Sequence, residues 1–479
     1  MSSRRKNTRG HGRRRAMWPA LVAAPLLTLA LGACDFDEIL QVDLPGDVTE
    51  PDLTDPALAE TLALSVQADF ECGLVDYVWY AGLWYSEFLN ASSSRPNALM
   101  ELRAQLVDVY ADPCSSGTGP VYGPMMTPRL QAVRVKDFFA AYESGAVPNA
   151  TELLAGVSLY QGYAEQIMGE YHCGVVVLDP VQYPEGGPLG TRQEAWQRAI
   201  ELFNEAVSGG TADVRNAAYV GIARANLNLG NMAAVVSNAD LVPEGFQFNA
   251  TYSTDPDRRR NKIARRNHED QSLMPHRYYG VVPPNDYGIP PSNMTISADG
   301  RATWADRMGG MMSDNAVNDP RVEIYFDDDS GKPLVDNRNG TLDYRFQRKY
   351  SDRADPIPFA TWREAQLMKA EALGGQDAVD IINLLRTNPA GLHANIDSSA
   401  WPLPTADYLA GASDAEIMEA VREERRRELF GQGTRGGDKI RWNETYEIQN
   451  EYGFEMENGR PLPISFLEVA SNPNVSSTC

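Results

Sequence analysis

Between Glu423 and Glu428 the chain carries six charged residues without interruption, at the head of the stretch EERRRELFGQGTRGGDKIRW that ends at Trp442. The run continues a helical pattern that opens at Ser413, where Glu416 three residues on completes a capping box, and it meets a good helix-ending residue at Gly431. Successive residues turn a helix by about 100°. Six charges in a row therefore occupy every face, and a helix packed inside a domain must bury some of them. A buried charge is costly unless it is paired. Glu423 and Arg427 have the right order for an i,i+4 pair, expected on the solvent side. Glu424, Arg425 and Glu428 then remain to fix neighbouring helices and the turn after Phe430. A solvated surface helix is the alternative, and Leu429-Phe430 and the Lys439–Trp442 segment beyond the turn speak against it. The stretch calls for several elements packed around one charged helix, with a scaffold role.

The N-terminus says where such a domain works. Its first 16 residues hold seven basic residues and no acid, and a mostly apolar run from Met17 to Ala33 leads into Leu31-Gly32-Ala33-Cys34. A basic region, a short apolar core and small residues before a cut make a secretory signal. The last four residues resemble a bacterial lipobox, so residues 1–33 are expected to be a lipoprotein signal peptide and Cys34 the acylated mature N-terminus. An ordinary signal ending beside a cysteine is the alternative. The basic cluster directly precedes the apolar run, which marks it as topogenic rather than nucleic-acid binding. Its removal takes the formal net charge from −22 to −29. A surface so acidic argues against nucleic acid or anionic lipid headgroups as partners. No later stretch approaches the roughly 18 apolar residues of a spanning helix, so the body is expected to be anchored through lipid alone.

Residues 34–56 are acidic, proline-containing and aperiodic, and read as a tether. From Ala57 to Cys479 the pattern is that of a single, mainly α domain. Helical periodicity marks 57–71, 73–89, 126–145, 150–174, 191–207, 213–230, 231–242 and 365–386. Ala199, Phe203 and Ala206, and again Ala378, Ile382 and Leu385, have the small–large–small spacing of tetratricopeptide-like helix pairs, though generic helix hairpins fit as well. Between about 244 and 361 the chain is rich in Gly, Pro, Asn and Asp and reads as a loop-rich insertion, with short strands at Val322–Phe326 and Leu342–Tyr350 and a turn at Asn339-Gly340. Asp327–Asp329 is out of register for a calcium loop. Four cysteines remain after Cys34, namely Cys72, Cys114, Cys173 and Cys479. They are expected to be oxidised in an exported protein, with three connectivities open. The preferred one joins Cys72 to Cys173, each at a helix end, and Cys114 to Cys479. Their scatter suits no zinc site, and the five histidines form no HExxH, so neither metal nor cofactor is expected.

The charged helix and its glycine turn resemble the C-terminal motif of the SusD/RagB family of outer-membrane nutrient-binding lipoproteins. The matching positions are Glu424, Arg425, Arg426, Glu428, Phe430, Arg435, Asp438, Arg441 and Trp442. In the family's order, WREAQLMKAEAL (362–373), IINLLRTNPAG (381–391) and RPLPISFLEVASNPN (460–474) are similar too, and weaker similarity covers 156–243. The resemblance implies a protein held by lipid on the outside of the outer membrane. It would capture an oligomeric nutrient, usually a glycan, and deliver it to a SusC-like TonB-dependent barrel. Sugar binding needs aromatic platforms beside polar groups. Two clusters offer them: Trp79, Tyr80, Trp84 and Tyr85 on a helix where Tyr77, Tyr80 and Trp84 share one face, and Tyr278, Tyr279, Tyr287 and Trp304 in the insertion, which ranks first because loops carry binding residues. Two other classes stay open, a surface glycan hydrolase and a helical-repeat interaction module. No GxSxG, Walker loop or dinucleotide glycine pattern supports an enzyme.

Overall fold

Two of the expected helices are one. In the computed structural model α1 (Ala59–Asp76) runs without a break through a π-helical turn (Tyr77–Ala81) into Gly82–Trp84. Gly73, read from the sequence as a break, lies instead where a Cβ would come 2.6 Å from the Pro124 carbonyl oxygen, so it permits close packing of the next long helix. The structure describes residues 53–101, 121–255, 259–275, 319–322, 324–325, 344, 346–442, 448–449, 455–456 and 461–476. All belong to one contact unit, Glu50–Cys479.

Strand β1 (Phe88–Asn90) and the short α2 (Arg95–Glu101) follow α1. The helical frame comes next: α3 (Tyr122–Ala141), α4 (Ala150–Tyr171), α5 (Arg192–Gly209), α6 (Ala212–Leu229) and α7 (Met232–Ala239). Each packs on its successor, as expected of serial helix pairs. Their boundaries have local causes. Thr191 and Glu194 form a reciprocal capping box at the start of α5, Thr211 caps α6, and α6 stops at Gly230 with φ 78°. Ala199, Phe203 and Ala206 are all fully buried, which turns the small–large–small spacing into a packing face.

Between α4 and α5 lies the hairpin β2 (Val175–Val176) and β3 (Leu189–Gly190). After α7 come β4 (Gln247–Ala250), a short α8 (Lys262–Ala264) continued by a second π-helical turn (Arg265–Glu269), and β5 (Leu273–Pro275). β5 pairs antiparallel with β1, Leu89 facing Met274. β6 (Ile324–Tyr325) and β7 (Phe346–Gln347) pair as the sequence alternation predicts, and β8 (Ile357–Thr361) pairs with β4. The Asn339-Gly340 turn lies outside the described residues. Then α9 (Trp362–Leu373) and α10 (Gly375–Thr387) repeat the helix-pair design, and α11 (Asp414–Glu428) packs on both. α12 (Arg435–Trp442), the pair β9 (Ile448–Gln449) and β10 (Glu455–Met456), and α13 (Phe466–Ser471) complete the order.

The main core is aromatic at its centre, where Phe70, Tyr160, Tyr163, Phe203 and Phe359 meet with centroids 4.9–6.3 Å apart. A second, smaller core gathers Leu89, Ala91, Met274, Tyr344 and Phe346 where β1, β5 and β7 converge.

Candidate functional site

All six charges of α11 are buried, from Glu424 and Arg427 at 0 % exposure to Glu423 at 7 %. The Glu423–Arg427 pair forms, Arg427 Nε donating to Glu423 Oε1 at 2.8 Å, but inside the protein and not on the solvent side. The correction has a physical cause. Elements that the sequence leaves far apart surround this helix and supply counter-charges on every face.

Arg386 of α10 donates to Glu424 Oε2 from Nε and Nη2, at 3.1 and 2.8 Å. Arg363 of α9 grips Glu428 with both faces of its fork, at 2.6 and 2.9 Å, and donates to the Asn388 and Leu385 carbonyls at the end of α10. Arg321 reaches Glu424 at 2.5 Å and Glu428 at 3.2 Å, while its remaining donors fork onto Asp319 at 2.9 and 2.7 Å. Glu423 also holds Arg426. Burial alone would raise the Glu424 and Asp319 carboxyls, but the guanidiniums outweigh it, lowering Asp319 and holding Glu424 well below the usual carboxylate range. Charge assistance of this kind makes breaking a pair far costlier than the pair's net worth.

The other end of the motif forms a second cluster. Arg425 donates to Asp438 at 2.9 and 3.2 Å, Arg441 bridges Asp438 and Glu371, and the Trp442 indole donates to Glu371 at 2.8 Å. Phe430 packs on Phe88 at 5.6 Å, and Arg435 is buried in the first turn of α12. Gly431 holds φ 67° under the Tyr350 ring, where a Cβ would come 2.7 Å from Cε2. Only glycine meets both demands.

The loop-rich region is seated on this frame at three places. Lys262 pairs with Asp76, and the Arg266 guanidinium lies 3.9 Å over the Trp79 ring, so the two π-helical turns face one another. Asp319 and Arg321 join the cluster on α11. Lys349 donates to the Glu428 and Phe430 carbonyls at 3.2 and 2.8 Å, and the Tyr350 hydroxyl donates to the Gly431 carbonyl at 2.9 Å. Burial pushes the Lys349 amine down to about 8, against the pull of Glu428 and Glu87. Ser86 and Gln271, which precede β1 and β5, are non-glycine residues with φ 58° and 48°. Backbone strain of this sort gathers at functional sites.

Of the aromatic residues singled out in the sequence, Trp79 and Trp84 are buried, at 0 % and 4 % exposure. They are core residues here, and a covered ring face has nothing to offer a sugar. The notion of a platform on the first helix is corrected accordingly. Tyr278, Tyr279, Tyr287 and Trp304 lie outside the described residues, as do Cys34, Cys114 and Cys479. Cys72 and Cys173 are each disulfide-bonded. A separate cleft of about 390 Å³ opens where the ends of α3 and α5 flank α4. Lys136 and Glu205 meet across it at 2.9 Å, and Ser158 donates to the same carboxylate at 2.7 Å, over a floor of Leu154 and Ala155. Sequence reading missed Asp319 and Arg321, which stand in a segment with no periodic pattern, and Lys349, whose segment showed a strand alternation but no partner. Arg363 and Arg386 were in the motif segments quoted, but only the fold shows that they converge.

Residues 364–461 match the model of the SusD family. That stretch, which holds the charged helix and its glycine turn, is similar to the SusD/RagB family. The chain's solved neighbours share the fold across nearly their whole length. A SusD-like protein from Bacteroides fragilis is 14 % identical with TM-score 0.63, over 90 % of this chain and 98 % of that one. A SusD superfamily protein from Bacteroides vulgatus is 15 % identical with TM-score 0.58, over 88 % and 98 %. A laminarin-binding SusD-like protein is 14 % identical with TM-score 0.55, over 88 % and 98 %. No curated protein matches the chain in sequence. Among the described residues, no helix is long and apolar enough to cross a membrane, and no cluster of His, Cys, Asp and Glu is placed to hold a metal ion.

Proposed function

We propose that this chain is a SusD-family cell-surface binding lipoprotein, anchored in the outer membrane through Cys34, that captures an oligomeric glycan and passes it to a TonB-dependent barrel. The observation that carries this reading is the family match over 364–461, whose charged residues here build a rigid seat for a long loop-rich region. A solved neighbour of the same fold binds laminarin, which makes a glycan the first ligand class to test. With Trp79 and Trp84 committed to the core, the platforms fall to Tyr278, Tyr279, Tyr287 and Trp304. Aromatic faces there would stack on sugar rings while polar neighbours take the hydroxyls.

Calorimetric titration with laminarin and a panel of neutral oligosaccharides tests the proposal. Trp304→Ala or Tyr279→Ala is expected to weaken binding by about tenfold or more, roughly 1.4 kcal/mol, with the melting temperature unchanged. Binding that survives truncation of all four aromatics would overturn the assignment of the site. Release of new reducing ends during incubation would put a hydrolase in its place.

A further inference from the structure

The ion cluster on α11 is shared between two parts of the molecule in an uneven way. Glu424 is held by Arg386 from the helical frame and by Arg321 from the loop-rich region. Glu428 is likewise held by Arg363 from the frame and by the same Arg321. Each carboxylate thus keeps a frame arginine if Arg321 is taken away, and Asp319 keeps Arg427 at 3.7 Å. Without Arg321 the cluster still contains four carboxylates (Asp319, Glu423, Glu424, Glu428) and four guanidiniums (Arg363, Arg386, Arg426, Arg427). With Asp319 counted, the cluster therefore stays balanced in charge without Arg321, and residues 319–322 reach α11 chiefly through Arg321, itself at 0 % exposure, with Asp319 adding only its 3.7 Å approach to Arg427. A second attachment lies at Lys349, whose ammonium takes two carbonyls at the end of α11.

We propose that Arg321 is a positioning residue: a latch, seconded by Lys349, that fixes the returning segments of the loop-rich region on α11 and so sets the geometry of the recognition surface. The last clause rests on the reading that this region recognises the nutrient. The latch itself does not. A buried guanidinium with three carboxylate partners has one favourable geometry, and its planar fork loses little entropy in taking it. Local opening of the segment requires breaking those contacts. The helical frame can stay closed while it happens.

The experiment is hydrogen exchange on the full chain bearing Arg321→Met, with Arg321→Lys as the conservative variant. Amides of 319–325 and 344–350 should exchange about tenfold faster or more in Arg321→Met, those of α4, α5 and α6 should not change, and Arg321→Lys should recover part of the protection. Lys349→Met, which leaves the ion cluster whole, should loosen 344–350 in the same selective way and serves if Arg321→Met does not fold. Equal acceleration in every helix, or no change in 319–325 and 344–350, overturns the latch. Laminarin titration of the same variants addresses the reading beneath it. Local loosening with weakened laminarin binding supports both, and local loosening with laminarin binding intact keeps the latch and overturns the recognition role. The exchange pattern decides the latch whether or not laminarin binds.

Discussion

His172 has no exposed surface, and both ring nitrogens are spoken for. Nδ1 lies 3.1 Å from the Pro463 carbonyl, so it carries the proton and donates, which leaves Nε2 to accept from the Tyr77 hydroxyl at 2.6 Å. That tautomer is neutral, and burial pushes the imidazole down to about 4 despite its backbone partners. His393 is pushed down to about 4 as well, chiefly by burial and then by Lys349. In the unfolded chain each imidazole takes its proton near pH 6.5. Between about pH 6.5 and 4 the unfolded state therefore binds more protons, so stability falls as the pH drops through that window and levels off below it. A full shift of this size is worth roughly 3 kcal/mol per histidine. Unfolding free energies measured from pH 7 to pH 4 should show this decline, and His172→Gln should remove about half of it. A flat profile in the wild type, or an unaltered slope in the variant, would refute the assignment. The two histidines show a limit of sequence reading. They were legible only as unfit for a zinc motif, because burial depends on Pro463 and Lys349, far off in the chain. That some of the six charges of α11 are buried was legible, since no helix can turn every face to water inside a domain, but the burial of Glu423 and Arg427 was not.

At the scale of elements, the α4–α5–α6 stack turns on one ring. Phe203 of α5 lies against Gly162 of α4 and Gly221 of α6, where added Cβ atoms would come 2.8 and 2.5 Å from ring carbons. The small–large–small spacing announced a large residue between small ones on α5. It did not announce the glycines on both neighbours that make room for it. Gly221→Ala is expected to destabilise the fold by about 1–3 kcal/mol through overpacking, and Phe203→Leu added to it should recover part of the loss. Thermal or urea unfolding of the two variants measures this, and additive losses would show that the ring is not the point of strain. Helix positions were largely readable because apolar spacing and capping residues agree over long windows. The break expected at Gly73 and the pairing of β1 with β5 were not, since both answer to contacts with Pro124 and Met274 that no local pattern encodes.

For the whole molecule, the disulfides give the most direct check. Non-reducing peptide mapping should find neither Cys72 nor Cys173 as a free thiol, and it decides whether they close on each other or on Cys114 and Cys479. Reduction should lower stability by about 2–4 kcal/mol per bridge. A free thiol at either position would contradict the structure. The loop-rich region was legible in composition and not in its attachment, because that depends on Arg321 finding Glu424 across 103 residues and Glu428 across 107. That separation bears on kinetics. Contacts so remote in sequence form only after long loops have closed, so the cluster belongs on the native side of the folding barrier. Weakening it should hasten unfolding while leaving the folding rate nearly untouched, which makes the ion cluster a governor of how long each molecule stays folded.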